Sequence, residues 1–366
     1  MYCLCLRPKL RVAGRNGELI MKQEITIIDI ARKAGVSTAT VSRVLNGTGS
    51  VREDTRKKVE EAVRELDYQP NIVAKNLSTA RSNVIGVLVS DVRNPFYANI
   101  FVECEMYANE KGFSLLLYNF LDSESLERRC YDMLLARRVC AIVHIGGSVD
   151  RMDGNAEIVK KIGEISQRIP VVTSAPVEGT RSGCVQVDNE HCMKKLMEYL
   201  FELGHKRIAL AGGNENVRST YEKRRCYREM MERQGIGYGN YYIADSGTYN
   251  EQGGYLVMRE IFQKDPLPTA VIAINDLVAV GVVHAIKEKG LEIGRDISVA
   301  SFDNTYIAEM MEPELTSVGN DYRLAGRRII DMIMGMMDGK ECPEWEEMPV
   351  LLEERESCSG CFLKKN

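Results

Sequence analysis

The chain has 366 residues, of which 45% are hydrophobic and 27% charged, and its formal net charge is −4. This length exceeds one typical domain and predicts two or three folded units. No run of about eighteen apolar residues occurs, which argues against a membrane-spanning helix. The charge is uneven: residues 1–21 and 22–81 each carry +3, and the remainder carries −10. A basic N-terminal part before an acidic remainder is typical of a protein that contacts phosphates at one end only.

The first 21 residues do not read as part of a folded domain. Their apolar stretch, residues 2–6, is too short for a secretory signal, and the basic residues follow it instead of preceding it. We expect a disordered extension, or a start assigned upstream of Met21. A functional basic arm is the less favoured alternative.

The first predicted helix follows Thr26. Thr26 and Asp29 have the spacing of a capping box, in which the side chain of each residue bonds the backbone of the other. The helix is expected to end at Gly35, because glycine takes a left-handed position after a helix at little cost. Ser37 then caps a second predicted helix over residues 38–46.

This second predicted helix has two different faces. Val41, Val44 and Leu45 fall on one face at three- and four-residue spacing. The other face carries small polar residues and one arginine, namely Thr38, Ala39, Ser42, Arg43 and Asn46. Such a face suits a helix in a DNA major groove, since arginine can bond a guanine edge and small residues permit close approach. On spacing alone, an ordinary pair of amphipathic helices remains the alternative.

A third helix and a hinge follow. Ser50 and Glu53 are expected to cap the third helix, which completes a helix-turn-helix head over residues 22–68. Residues 69–82 would form a hinge helix and linker. The hinge offers only about two turns, well under the ~12–15 residues that an isolated helix needs, so we expect it to fold only when a partner covers it.

Four motifs in this region occur together. They read I-x-D-I-A-R-K-A-G-V-S from Ile27, A-T-V-S-R-V-L-N-G from Ala39, T-R from Thr55 and Y-x-P-N-x-x-A-K-x-L from Tyr68. They resemble the head and hinge of the lactose/galactose-repressor (LacI/GalR) family, and the similarity continues through nearly all of residues 21–358.

The polar helix face and the resemblance together imply a set of DNA contacts. The residues expected to contact DNA are Thr26, Ile27, Thr38, Ala39, Thr40, Ser42, Arg43, Asn46, Ala74 and Leu77. Arg43, with Thr38 and Ala39, would set base preference. Thr26, Ser42 and Asn46 would mainly hold phosphates. The two hinge leucines of a dimer would wedge apart the central base step in the minor groove.

Beyond the hinge, strand-length apolar runs alternate with helix-like stretches. The runs cover residues 84–89, 113–118, 140–145, 171–173, 207–211, 269–274 and 297–302. Continuous Val/Ile/Leu runs of this kind indicate buried parallel strands in βαβ units. The resemblance implies the α/β periplasmic-binding-protein-like fold with two doubly wound subdomains. Their expected extents are residues 83–187 with 320–348, and residues 188–319 with 349–358, before a tail at 359–366.

The loops at the carboxyl ends of these strands are expected to hold a ligand. Their mixture of carboxylates, amides and aromatic rings suits a sugar-like polyol. The residues assigned to effector binding, largely by resemblance, are Asp91, Phe96, Tyr97, Lys223, Tyr249, Asn275, Asp303, Asn320 and Tyr322. Lys223 departs from the family, which has an arginine there, and lysine cannot make the planar two-pronged contact of arginine. Taken alone, Asn275 could instead close a turn and Asp303 could cap a helix.

Cysteine usage indicates no metal or disulfide chemistry. The eleven cysteines are scattered, which favours reduced thiols in a cytoplasmic protein. Cys358 and Cys361 form the only C-x-x-C, and because further ligands at matching spacing are missing, incidental thiols are favoured over a zinc site. No cofactor is expected.

The combination of head, hinge and body predicts a DNA-binding transcriptional regulator, a repressor controlled by an effector. An enzyme is not expected, since the sequence holds no phosphate-loop or H-E-x-x-H motif and only four histidines. Within the same family, the alternative is a regulator that answers to a protein corepressor, a phosphocarrier protein. A small-molecule binding protein without a role at DNA is less favoured.

A homodimer on a pseudo-palindromic operator is also expected. The resemblance places its pairing surface on the helix after Pro95, with Ile100, Phe101, Cys104 and Tyr107 on the apolar side. The tail shows no heptads, so a four-chain bundle is not expected.

Overall fold

A computed structural model describes residues 10–13, 19–22, 25–46, 50–68, 82–236, 243–340 and 345–361. The chain divides into two compact units, Met1–Arg81 and Ser82–Asn366. The first unit contains a helical head and the second is an α/β body, so the fold class predicted from the sequence is confirmed. Within the described ranges, no helix is long and apolar enough to cross a membrane.

Two short strands precede the head. β1 (Leu10–Ala13) pairs antiparallel with β2 (Leu19–Lys22). This pairing differs from the disorder predicted for residues 1–21. A start assigned upstream of Met21 stays a prediction.

Three helices follow in the first unit, namely α1 (Ile27–Ala34), α2 (Thr38–Asn46) and α3 (Glu53–Glu65). The Asp29 carboxylate accepts hydrogen bonds from the backbone N–H and the hydroxyl of Thr26, at 2.9 and 2.6 Å. Gly35 ends α1 with a φ of 67°, the left-handed conformation predicted for it. α3 begins at Glu53 after Arg52, without a side-chain cap. The predicted cap by Ser50 is therefore wrong.

The head has its own apolar core. The helical spacing of the apolar residues places them on the inner faces of all three helices. The buried residues are Ile30, Ala31, Val41, Val44, Val59 and Ala62.

The second unit alternates strands and helices. Its strands are β3 (Val84–Val89), β4 (Ser114–Asn119), β5 (Ala141–Ile145), β6 (Val171–Thr173), β7 (Gly183–Val187), β8 (Ile208–Ala211), β9 (Ile243–Ala244), β10 (Ala270–Ala273), β11 (Ser298–Asp303), β12 (Thr316–Asn320), β13 (Trp345–Met348) and β14 (Val350–Glu353). Its helices are α4 (Pro95–Glu110), α5 (Glu124–Ala136), α6 (Ala156–Ser166), α7 (Asn189–Glu202), α8 (Arg218–Arg233), α9 (Glu251–Ile261), α10 (Asp276–Glu288), α11 (Tyr306–Met310) and α12 (Tyr322–Met337). A 3-10 turn spans Gly147–Asp150.

The strands form two six-stranded sheets. The first subdomain holds the sheet of order β13-β7-β6-β5-β3-β4, in which every pair is parallel. The second subdomain holds the sheet of order β14-β12-β11-β10-β8-β9, in which only β14 runs antiparallel to its neighbour. The chain passes between the subdomains after β7, after β12 and after β13.

Helices cover both faces of each sheet, which explains the continuous apolar runs. Successive residues of a strand point to opposite faces. In β3, Val87 and Val89 therefore pack into the cluster beneath α4 and α12, whereas Leu88 packs on the other face beneath α5 and α6. A strand buried on both faces needs an apolar residue at every position.

Candidate functional site

The exposed face of α2 carries the residues predicted to read DNA bases. Thr38, Ala39 and Arg43 are exposed, whereas Val41 and Val44 on the opposite face are buried in the core of the head. The helix therefore presents a polar surface with one arginine to the outside. This is the geometry that a helix needs to enter a major groove.

The start of α2 is fixed by a side-chain cap. The Thr40 backbone N–H donates to Ser37 Oγ at 3.1 Å, and the two hydroxyl oxygens lie 2.9 Å apart. Thr40 is thus engaged in the cap. Ile27 and Ser42 are half-buried. The Asn46 side chain, Ala74 and Leu77 lie outside the described residues, and their assignment stays a prediction.

A cavity of about 750 Å³ lies between the two subdomains of the body. Its walls are loops that follow β3, β5, β8, β10 and β11, where parallel strands present their carboxyl ends. It is lined by all nine residues assigned to effector binding from the sequence: Asp91, Phe96, Tyr97, Lys223, Tyr249, Asn275, Asp303, Asn320 and Tyr322.

The wall from the first subdomain carries aromatic rings. The Phe96 backbone N–H donates to Asn94 Oδ1 at 3.0 Å, which caps α4 and fixes Phe96 at the cavity. The Phe96 ring contacts Tyr97 and Tyr322 edge to face, at centroid distances of 5.2 and 6.1 Å. Rings in this arrangement offer an apolar surface against which a sugar C–H face can pack.

Asp91 is already paired within the protein. Arg93 Nε donates to both carboxylate oxygens of Asp91, at 2.9 and 3.0 Å. The hydrogen bonds from Arg93 hold the pKa of Asp91 below its usual range. Asp91 therefore lines the cavity as half of an ion pair.

Asn275 serves the fold as well as the cavity. Its Oδ1 accepts from the Val278 backbone N–H at 2.8 Å and caps α10, and its Nδ2 donates to the Tyr249 carbonyl at 3.1 Å. The Tyr249 hydroxyl in turn lies 2.8 Å from Thr220 Oγ1 and accepts from the Asn214 backbone N–H at 3.2 Å. Asn275 thus positions Tyr249, and one amide hydrogen remains for a ligand.

The Asp303 carboxylate and the Lys223 ammonium form the charged centre of the cavity. Lys223 is 7% exposed, and its Nζ lies 4.3 Å from the centroid of the Phe302 ring. Burial raises the pKa of Asp303 to about 7, although the charge of Lys223 opposes the rise. The described residues place no hydrogen-bonding partner on either charged group. Both can therefore bond a ligand hydroxyl.

Asn320 presents a second unsatisfied group. Its Oδ1 is buried and receives no hydrogen bond from the described residues. A buried acceptor without a donor is rare in folded proteins, so a donor is expected from a bound molecule or from water. Tyr322 differs, because its hydroxyl donates to the Asp303 carbonyl at 2.7 Å and thereby joins the two subdomains.

The sequence did not indicate a group of contacts at the cleft mouth. Asp150, in the turn after β5, accepts a hydrogen bond from Ser219 Oγ of the second subdomain at 2.9 Å. The Met152 backbone N–H donates to the Asn216 carbonyl at 2.7 Å. These two hydrogen bonds join the subdomains beside the cavity. Gly146 and Gly147, which follow β5 at the same sheet edge, were the signal that could have located this loop.

Two of the four residues predicted for the pairing surface on α4 are too buried to take part, whereas Phe101 and Tyr107 are half-buried and their assignment stays a prediction. Ile100 and Cys104 are buried inside the first subdomain. Gly326 of α12 lies so close to α4 that a Cβ there would meet the Glu103 backbone at 2.6 Å. α4 instead exposes Val102 and Met106.

Known proteins resemble both units. Residues 26–71 match the family of bacterial regulatory proteins called the lacI family, and residues 197–358 match the periplasmic binding protein-like domain. Catabolite control protein A of Priestia megaterium is 33% identical over 296 residues, which cover 80% of this chain and 87% of that protein.

Two solved structures extend the likeness to the fold. The Lac repressor dimer bound to operator and the anti-inducer ONPF has a TM-score of 0.81 and 28% identity, over 92% of this chain and 100% of that chain. The complex of the transcriptional regulator CelR with cellobiose has a TM-score of 0.67 and 27% identity, over 91% and 99%. By its head, its body and these likenesses, the chain belongs to the LacI family of bacterial transcriptional regulators.

Proposed function

We propose that this protein represses transcription by placing α2 in the major groove of an operator, under the control of a molecule bound in the cleft. The exposed polar face of α2, with Arg43, carries this conclusion. Members of the family are transcriptional regulators and not enzymes. A DNA-binding regulator acts where the DNA is, so a cytoplasmic location belongs to the proposal.

The DNA-bound form in this proposal is a homodimer. A two-fold protein matches a pseudo-palindromic operator, because each half-site then meets one head. Light scattering of the full chain should return twice the monomer mass of 41.2 kDa. A tetramer at working concentration would contradict this part of the proposal.

For the cleft, we propose a sugar or sugar derivative as effector. The support is chemical: Lys223 and Asp303 leave a donor and an acceptor unused, Asn320 leaves a buried acceptor, and Phe96 offers a ring. A polyol satisfies alternating donors and acceptors while its C–H face packs on a ring. A solved relative, CelR, was captured with cellobiose.

A thermal-shift panel of free sugars and sugar phosphates tests the effector. A true effector should raise the melting temperature of the wild-type chain and not that of Asp303→Asn. The matched control is Asp338→Asn, which alters an exposed carboxylate that is paired with Lys340 and does not line the cavity. A shift that survives in Asp303→Asn would place the binding site elsewhere.

A protein corepressor is the second candidate effector, and one observation favours it. Lys223 replaces the cleft arginine of the family, which removes a bidentate contact to a small ligand. Catabolite control protein A also stands among the relatives. If no sugar shifts the melting temperature but a phosphorylated phosphocarrier protein tightens operator binding, the corepressor is the effector.

A further inference from the structure

The turn that carries Asp303 is strained. Asp303 and Asn304 have φ values of 95° and 47°, two successive non-glycine residues in the left-handed region. Side chains with a Cβ rarely adopt this region, and such a conformation persists only when its surroundings hold it. The groups that hold this turn therefore decide where the Asp303 carboxylate points.

Asn304 is fixed from outside the cavity. Its backbone N–H donates to Ser317 Oγ at 3.0 Å, and its Oδ1 accepts from Arg355 Nη2 at 2.8 Å. Gly319 provides the space for the turn, since a Cβ there would lie 2.5 Å from the Asn304 Cβ. Neither Asn304 nor Arg355 lines the cavity.

Arg355 is itself held rigidly. Its side chain is 10% exposed, and its Nη1 donates to the Leu315 carbonyl at 2.7 Å. Its backbone N–H donates to Thr316 Oγ1 at 2.9 Å. The planar guanidinium therefore bonds both Leu315, the residue before β12, and Asn304 of the turn, from a fixed position.

We propose that Arg355 is a positioning residue of the effector cleft, which holds Asn304 in the left-handed turn and so directs the Asp303 carboxylate into the cavity. The inference rests on the proposed function, because it concerns the same cleft. A purely structural clamp on the C-terminal segment would also stabilise the fold. If Arg355 had only that structural role, its replacement would leave the surroundings of the Asp303 carboxyl unchanged.

The environment of the Asp303 carboxyl can be followed by ¹³C NMR of the full chain labelled at aspartate carboxyls. The Asp303 signal is the one missing from Asp303→Asn. In the wild type its titration midpoint should lie near the raised pKa of about 7. In Arg355→Met the turn relaxes and the carboxyl reaches water, so the midpoint should fall by about one pH unit or more.

The direction of the change separates the two roles. Loss of a positive charge alone would raise the midpoint of a carboxyl, whereas reorientation into water lowers it. Glycine takes a positive φ without support. The double variant Arg355→Met with Asn304→Gly should therefore return the midpoint to the wild-type value.

Two further variants complete the design. Arg207→Met removes a half-buried arginine of the same subdomain, whose Nε donates to the Leu267 carbonyl at 3.0 Å, and should leave the midpoint unchanged. Arg355→Lys keeps the positive charge but loses the two-pronged hydrogen bonding of the guanidinium, so the midpoint of Asp303 should fall by less than in Arg355→Met. If Arg355→Met does not fold, Arg355→Lys is the variant that tests the proposal.

An unchanged or raised midpoint in the folded Arg355 variants would overturn the proposal. So would a fall that Asn304→Gly fails to reverse. No sugar is added in these titrations, so a sugar panel without a hit would count against the proposed effector and not against this result.

Discussion

At the scale of single residues, Asp150 links closure of the cleft to pH. It accepts the hydrogen bond from Ser219 that bridges the subdomains, and burial raises its pKa to about 6. Glu222 strengthens the rise, whereas the bond from Ser219 and the charges of Lys223 and Arg218 oppose it. The closed cleft therefore favours the protonated carboxyl.

Replacement of Asp150 should weaken the pH dependence of stability. Below about pH 4 the carboxyl is protonated whether the protein is folded or not, and above about pH 6 the folded state bears the full cost of ionising it, roughly 3 kcal/mol. The stability that the protonated Asp150 carboxyl provides at low pH is thus lost as pH rises from about 4 to about 6. The melting temperature of the wild type, relative to that of Asp150→Asn, should therefore fall between about pH 4 and about pH 7.

The control for this comparison is Asp338→Asn, whose melting temperature should change with pH as that of the wild type does. Some dependence should remain in Asp150→Asn, because the pKa of Asp303 is raised further, to about 7. Equal losses in the wild type and Asp150→Asn would show that Asp150 ionises freely in the closed cleft.

At the scale of elements, the close approach of α9 and α10 depends on two glycines. A Cβ at Gly254 would lie 2.0 Å from the Val278 carbonyl oxygen, and one at Gly281 would lie 1.8 Å from that of Glu251. Both obstacles are backbone atoms of the facing helix. The helices would have to move apart to admit a methyl group.

Gly254→Ala should therefore destabilise the body by about 3 kcal/mol, in the upper part of the range for overpacking. Gly163→Ala is the matched control, because the added Cβ on α6 would meet only Thr180 Cγ2, at 3.7 Å. In a helix, that change should be neutral or stabilising by up to about 1 kcal/mol. Urea unfolding followed by circular dichroism measures both, and similar midpoints for the two variants would contradict the packing argument.

The hinge gives a second prediction at this scale. If paired hinge helices wedge leucines into the minor groove, Leu77→Ala should weaken operator binding and abolish the bend of the DNA. The folding of the head and the binding of effector should be intact. Gel mobility of circularly permuted operator fragments measures the bend, and wild-type protein that leaves its operator straight would defeat this account.

Several of the body strands found from the sequence are buried on both faces. β3, β5 and β10 are largely continuous apolar runs, and a run of this kind predicts a buried strand directly. β12 was not predicted as a strand, because its sequence, Thr-Ser-Val-Gly-Asn, contains only one large apolar residue. Its Ser317 is buried, and its hydroxyl donates to the Asp276 carboxylate at 2.9 Å. A polar residue whose partner comes from distant sequence cannot be assigned to a core by pattern.

The cavity lining was predictable for a related reason. Loops after parallel strands converge at one sheet edge, and the resemblance to the LacI/GalR family assigned Phe96, Tyr249 and Asp303 to those loops. Their hydrogen bonds could not be predicted. The engagement of Asn275 with Tyr249 and the strain at Asp303 depend on contacts between segments far apart in sequence.

At the scale of the whole molecule, the two units differ in charge as well as in fold. Residues 22–81 carry +3, whereas the chain beyond them carries −10. Phosphates attract the head and repel the body, so binding to DNA should weaken as salt rises. In the proposed function, selectivity for sequence comes from the exposed face of α2, which would contact the bases.

Selection of bound sequences from a random duplex library by the full chain tests the central claim most directly. The account predicts enrichment of a pseudo-palindrome, and in Arg43→Ala a relaxed preference at one position of each half-site, with a loss of about 1–3 kcal/mol. Enrichment of no sequence, or the same site with the same affinity for Arg43→Ala, would contradict it.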